Sequence, residues 1–257
     1  MSEYVLPHNL SGERRRLELM SRLMDPLERR QVVSLGLRPD WRCLELGCGN
    51  GSISQWLASR LIGGGHVVAS DIDTRYIDAI HGQNLEVRKI DVVNDQLETG
   101  AYDLVTARAL LHHLPARREA VTKMIAALKP GGTLLSIEPD FLPATATEPG
   151  SMRAFWEGWL DWSATVGIDY FIGRQMPVTL QELGLHDVRA EGHTAIYNGG
   201  SDWATYWRDT VNELGPKLLE SGHLAPELLT AFDTLYADPR YWTSAITFVA
   251  ASGRKHL

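Results

Sequence analysis

The chain has 257 residues, 44% of them hydrophobic and 22% charged, enough apolar material for a full core in one α/β domain. A formal net charge of −7 argues against generic nucleic-acid binding, which needs a basic footprint, and no segment approaches the roughly 20 apolar residues of a membrane span. The start, MSEYVLPHNLSGERRR, lacks an apolar stretch, and the two cysteines, Cys43 and Cys48, show neither CxxC nor zinc spacing, so a reduced, cytoplasmic, metal-free protein is expected.

Residues 10–35 are expected to form two helices. Leu10, Leu17, Met20, Leu23, Met24 and Leu27 fall near helical spacing, and Asp25-Pro26 suggests a break with Pro26 in a first turn. The basic cluster 13–16 suits a solvated helix face. Trp41–Leu46 is the first expected strand, and it runs into CLELGCGNGSIS, where Gly47, Gly49 and Gly51 alternate with other residues. Such a turn has few side chains to obstruct a ligand. Ile53, Trp56 and Leu57 then mark a helix over 52–60, whose first N–H groups face whatever lies over the turn.

His66–Ser70 is a short apolar run suited to a buried parallel strand, ending in Asp71-Ile72-Asp73. Asp71 lies 20 residues after Gly51, where a carboxylate can take two vicinal ribose hydroxyls. Asp73 suits the N-cap of a helix over 74–81. Leu85–Ile90 is the third strand, with Asp91-Val92 at its carboxyl end. A carboxylate and a backbone N–H there match the donor–acceptor edge of adenine. Tyr102–Thr106 is the fourth strand, followed by Ala107–Pro115, which holds His112 and His113. A helix to Leu128, a turn at 129–132 and a fifth strand, Thr133–Ile137, complete a series of βαβ units.

Beyond Asp140 comes a loop, then a helix over 151–166 crowded with Phe155, Trp156, Trp159, Leu160 and Trp162. These aromatics suit either core or the wall of a pocket. Asp140, Tyr170 and His193 lie on segments that could reach such a pocket. A helix over 178–183 stops at Gly184, a candidate C′ glycine. A strand over 186–196, helices over 201–215 and 226–236, and a closing strand over 241–252 follow.

A dinucleotide fingerprint wants glycines at its first, third and sixth positions, and the sixth position here is Ser52. Glu45-x-Gly47-x-Gly49-x-Gly51 instead resembles the first motif of the class I S-adenosylmethionine-dependent methyltransferases. The order and spacing of 41–140 match that family throughout, including Asp71, Asp91-Val92, Arg108 and the Pro-Gly-Gly before the fifth strand. The resemblance implies a doubly wound, mostly parallel seven-stranded Rossmann-like sheet with the last strand antiparallel, plus a helical cap. It implies one domain: lid helices over 1–38, a cofactor-binding core over 39–140, and a completing part with the substrate cap over 141–257. It implies S-adenosylmethionine as cofactor and transfer of its methyl to O, N or C of a small molecule.

The expected cofactor contacts are then Glu45, Gly47, Cys48, Gly49, Asp71, Ile72, Asp91, Val92 and the backbone at Arg108, with Tyr4 and Arg16 from the lid. No metal, nucleic acid or membrane partner is implied, and a homodimer is compatible. Where the nucleophile must lose a proton, His113 and His112 are the candidate bases. Two other readings stand beside this one: the same fold using its cofactor without methyl transfer, as a cyclase, isomerase or sensor, and a nicotinamide-dependent oxidoreductase.

Overall fold

The structure is a computed structural model and describes residues 12–257. Seven strands form its sheet: β1 (Arg42–Leu46), β2 (His66–Asp71), β3 (Leu85–Lys89), β4 (Tyr102–Arg108), β5 (Leu128–Asp140), β6 (His186–Thr194) and β9 (Thr247–Arg254). Their order is β3-β2-β1-β4-β5-β9-β6. Neighbours from β3 to β5 run parallel, and β9 runs antiparallel to both β5 and β6. The central strands read as unbroken apolar runs, such as Val67-Val68-Ala69, because helices cover both faces. The order reverses between β1 and β4, and a crevice opens there beyond the carboxyl ends of the strands. Two further strands, β7 (Tyr197–Asn198) and β8 (Trp242–Thr243), pair with each other.

Helices α1 (Glu13–Ser34) and α2 (Ser52–Arg60) share one face with α4 (Gly150–Thr165), α6 (Asp202–Glu220) and α7 (Pro226–Ala237). The other face carries α3 (Arg117–Ala127) and α5 (Ile172–Glu182). The α4 aromatics settle in the core: Phe155, Trp156 and Trp159 are fully buried, and their rings interlock with Phe141, Trp207 and Phe232 at 4.4–6.3 Å. Edge-to-face and offset pairs of this kind add to the burial energy of each ring.

Several expected boundaries move. The two helices expected over 10–35 are one, α1, which passes through Pro26. A proline inside a helix costs about 3 kcal/mol, but Met24, Leu27 and Val32 are buried on one side, and Asp25 and Glu28 straddle Pro26 to grip the same arginine, Arg108. The helix expected over 74–81 shrinks to a single 3₁₀ turn, Thr74–Tyr76, capped by Asp73 Oδ1 on the Arg75 N–H at 3.2 Å. Ile77 is fully buried against Gly51 and takes the chain out of helix. The expected turn at 129–132 is instead an irregular stretch of β5, with Gly131 at φ 76° and a register shift against Tyr102. Helix α6 continues past Gly215-Pro216 because Leu214 and Leu218 bury the same stripe. The strand expected over 241–252 is split into β8 and β9.

Candidate functional site

The site begins where β1 ends. Gly47, Gly49 and Gly51 all take positive φ, at 67°, 57° and 72°. At Gly51 a Cβ would lie 2.6 Å from Ile80 Cδ1, so the last turn before α2 requires glycine in both conformation and space. The loop is held from the neighbouring strand tip. Cys48 N–H donates to Ser70 O at 3.0 Å, and Gly49 N–H donates to Asp71 Oδ2 at 2.9 Å. Asp71 Oδ1 also receives the Asp73 N–H at 3.1 Å. The Asp71 carboxylate therefore stands at the loop with its geometry fixed. Cys48 lies beneath, its thiol pushed up by burial and then by Glu45 and Asp71, and stays protonated.

A cavity opens over this loop. Its floor is Glu45–Asn50, Asp71-Ile72 and Ile90–Asn94; Arg108–Leu110 and His112–Leu114 follow β4; Glu13, Arg16, Leu17, Met20 and Ser21 of α1 overhang it; Tyr206, Trp207 and Thr210 of α6 close a side with Pro139, Tyr170, Ile246 and Phe248. Ile72 is 47% exposed. Val92 is buried, and its backbone N–H has no acceptor among the described residues. Asp91 receives the Val93 N–H at 2.9 Å and the Asn94 side chain at 2.7 Å, which holds its carboxyl below the usual range against the opposing pull of burial.

Under α1 lies a buried ionic cluster. Arg108 Nη1 is 3.1 Å from Asp25 Oδ1 and 3.0 Å from Glu28 Oε2, and Thr106 Oγ1 donates to Glu28 Oε1 at 2.9 Å. Glu45 accepts from Ser54 Oγ. Burial, then the neighbouring Glu28, pushes Glu45 up to about 8. Burial also raises Glu28, with Arg108 opposing. Ala109 follows with φ 50°, a conformation that costs a residue with a Cβ and that concentrates at functional sites.

Past β4, Glu138 is buried under the turn that carries the two histidines. It receives the backbone N–H groups of Leu110, Leu111 and His112 at 3.1, 2.9 and 3.2 Å, and its Oε2 lies 3.0 Å from His112 Nδ1.

Residues 44–134 match the family model described as Methyltransferase domain. Over that stretch the chain carries a methyltransferase domain. Among curated relatives, a highly reducing polyketide synthase of Aspergillus terreus is 30% identical over 140 residues, covering 50% of this chain and 6% of that protein. A ubiquinone biosynthesis O-methyltransferase of Dechloromonas aromatica is 32% identical over 110 residues, covering 40% of this chain and 44% of that protein. The chain thus spans less than half the length of either relative. Among solved structures, a putative methyltransferase of Bacillus halodurans superposes with a TM-score of 0.58 at 17% identity, covering 91% of this chain and 99% of that one. At that identity the likeness is one of fold.

The methyltransferase domain brings most of the expected residues to one cavity. Glu45, Gly47, Cys48, Gly49, Asp71, Ile72, Asp91, Val92, Arg108, His112, His113 and Arg16 all line it. Arg16 is buried and held by Glu13 at 2.7 and 2.8 Å. Tyr4 lies outside the described residues. Of the three further candidates, Tyr170 lines the cavity, Asp140 is taken up by Arg174 at 2.5 and 2.6 Å, and His193 sits exposed on edge strand β6. The walls given by α6 and β9 were not legible as site residues, although Tyr206, Trp207 and Thr210 fall on one helical face. Nor was Glu138, whose sole sequence signal is an acid inside an apolar strand.

Proposed function

We propose that the chain binds S-adenosylmethionine across the β1 loop and transfers its methyl to O, N or C of a small-molecule acceptor held under α1 and α6. The observation that carries this reading is the loop itself: backbone without obstructing side chains, with the Asp71 carboxylate locked beside it by the Gly49 N–H. The donor set fits the cofactor. The Asp71 carboxylate is placed to accept from ribose hydroxyls, the Val92 N–H can donate to an adenine ring nitrogen, Asp91 can accept from its amino group, and Ile72 offers an apolar surface to the base. Backbone at 47–49 and at 107–108 would face the methionine portion, and Glu45 lies behind it.

When bound, the cofactor supplies an electrophilic methyl on a sulfonium, whose sulfur takes the electron pair of the breaking bond. The chain's own work is then to place a nucleophile in line, which supplies a large share of the barrier reduction, to exclude water, and to accept a proton where one must leave. The cavity, recessed under α1 and α6 and walled by Tyr170, Trp207 and Phe248, favours a small acceptor over a polymer. Because α1 and α6 wall the same cavity as the strand tips, the chain would work as one unit.

Calorimetry with S-adenosylmethionine, S-adenosylhomocysteine and NAD(H) tests the reading. Binding of the first two and not the third is expected. Heat with NAD(H) alone would overturn it, and binding without S-adenosylhomocysteine formation on any acceptor would favour the non-methylating use of the fold.

A further inference from the structure

Most polar side chains on the cavity wall are already engaged. Asp71 holds the Gly49 N–H, Asp91 holds Asn94, Arg16 holds Glu13, and Thr210 Oγ1 donates to the Tyr206 carbonyl at 2.8 Å. The Tyr206 hydroxyl stands apart. It has no hydrogen-bond partner among the described residues, although Tyr206 is only 7% exposed and lines the cavity. A buried phenol ordinarily finds a partner, because an unpaired buried O–H costs about 1–3 kcal/mol.

The ring itself is held. Tyr206 stands edge-on to Trp203 at 6.1 Å and to Trp207 at 5.2 Å. One turn before it on α6, Asp202 pairs with Arg22 of α1, and about one turn after it Asp209 pairs with Arg15. Tyr206 therefore lies at the seam between the two helices that cover the cavity.

The chemistry of the missing partner follows. A phenol donates one hydrogen bond and can also accept. A ligand N–H or O–H given to Tyr206 would leave the phenolic proton unpaired, whereas an accepting oxygen satisfies it. The wall beside it, with Leu17, Met20, Ile246 and Phe248, is apolar. Charge then favours a neutral oxygen. Arg16 is bound by Glu13, Arg15 by Asp209 and Arg22 by Asp202, while α6 adds a further acid, Glu213. Each of these cations is already matched, so a carboxylate entering here would be buried without one. A ketone, ester or amide oxygen escapes that cost.

We propose, resting on the reading above, that Tyr206 is a specificity-determining residue. Its hydroxyl donates to a neutral carbonyl oxygen of the methyl acceptor and so selects acceptors that carry such an oxygen on an apolar body.

The test uses the full chain saturated with S-adenosylhomocysteine. Absence of calorimetric binding of that compound to the wild type sinks the reading of the site and not this inference. Acetophenone, ethylbenzene and benzoate are then titrated, three similar bodies carrying a carbonyl, no polar group and a carboxylate. Acetophenone should bind more tightly than benzoate. Tyr206→Phe keeps the ring and removes the hydroxyl. It should weaken acetophenone by roughly 3–10-fold, and should leave ethylbenzene and the cofactor within about twofold. In protein labelled with ¹³C at tyrosine Cζ, the resonance missing from Tyr206→Phe should shift when acetophenone is added and stay in place with ethylbenzene, a response that a packing role does not give. Benzoate binding above acetophenone, no binding of acetophenone, equal acetophenone affinity in the variant, or an unmoved Cζ resonance overturns the proposal. Should Tyr206→Phe not fold, the ranking of acetophenone against benzoate on the wild type still decides.

Discussion

Glu45 offers a direct test of the buried cluster under α1. Its carboxyl rises from an ordinary 4.5 to about 8, because burial and then Glu28 disfavour the charge. A folded-state value above the unfolded one means that the stabilising contribution is full below about pH 4.5 and is lost as pH rises toward 8. Each pH unit over which ionisation is opposed costs about 1.4 kcal/mol, so the three units from about pH 5 to about pH 8 amount to at most about 4 kcal/mol. Glu45→Gln keeps the shape and an acceptor for Ser54 Oγ but removes the titration. Urea unfolding of both proteins across that range should show the wild type losing about 2–4 kcal/mol relative to the variant. Glu138 titrates in both proteins and cancels in the difference, whereas Glu28 is relieved in the variant, so the difference reports the Glu45–Glu28 pair. Stability curves that run parallel within about 0.5 kcal/mol, well inside the expected linkage, would refute the claim that Glu45 is held neutral by the fold.

Other expectations follow from the same geometry. Asp71→Asn should weaken S-adenosylmethionine binding by roughly 10–100-fold in calorimetry, since a charge-assisted hydrogen bond is worth about 1.5–3 kcal/mol. Trp156→Ala should cost about 3–5 kcal/mol in denaturant unfolding, and yet leave cofactor affinity nearly unchanged, because no α4 residue lines the cavity. Ala109→Gly should be neutral or stabilising by roughly 1 kcal/mol through relief of the φ 50° strain, whereas Ala109→Val should lower thermal stability. Glu138, pushed up by burial to about 7, gives a pH signature. A folded-state value above the unfolded one means that its stabilising share is lost as pH rises toward about 7, so urea unfolding should show the wild type losing stability relative to Glu138→Gln across that range, and parallel curves would count against it.

The sheet and the cofactor half of the site were legible because they rest on short-range rules. A strand tip, alternating glycines and a carboxylate 20 residues on are fixed by local backbone geometry. Asp71, Asp91 and Val92 fell at the cavity for that reason, while Arg108 was placed there by the family resemblance alone. What failed to show depends on contacts far apart in sequence. Pro26 signals a helix break locally, but Arg108, more than eighty residues later, clamps both its flanks. Gly215-Pro216 likewise yields to the burial of Leu214 and Leu218. Glu138 stays invisible for a similar reason: its importance lies in the His112 turn, 26 residues earlier. The crowding of tryptophans on α4 was equally compatible with wall and core, and the packing of α6 and α7 against it decides for core.

The way α1 is fastened bears on how ligands come and go. Its second half is bolted down by Asp25 and Glu28 on Arg108 and by Gln31 and Arg30 on Glu191. Its first half projects over the cavity, tied to α6 by the solvent-facing pairs Arg15–Asp209 and Arg22–Asp202 at 3.1 Å each, contacts worth at most about 1 kcal/mol apiece. The helix is thus anchored unevenly: its foot sits in ion pairs sealed from water, while the overhanging end is held by water-facing pairs beside the buried Leu19 and the Ser21 contacts to Asn50 and Ser52, so added salt should loosen the roof of the cavity before it touches the foot.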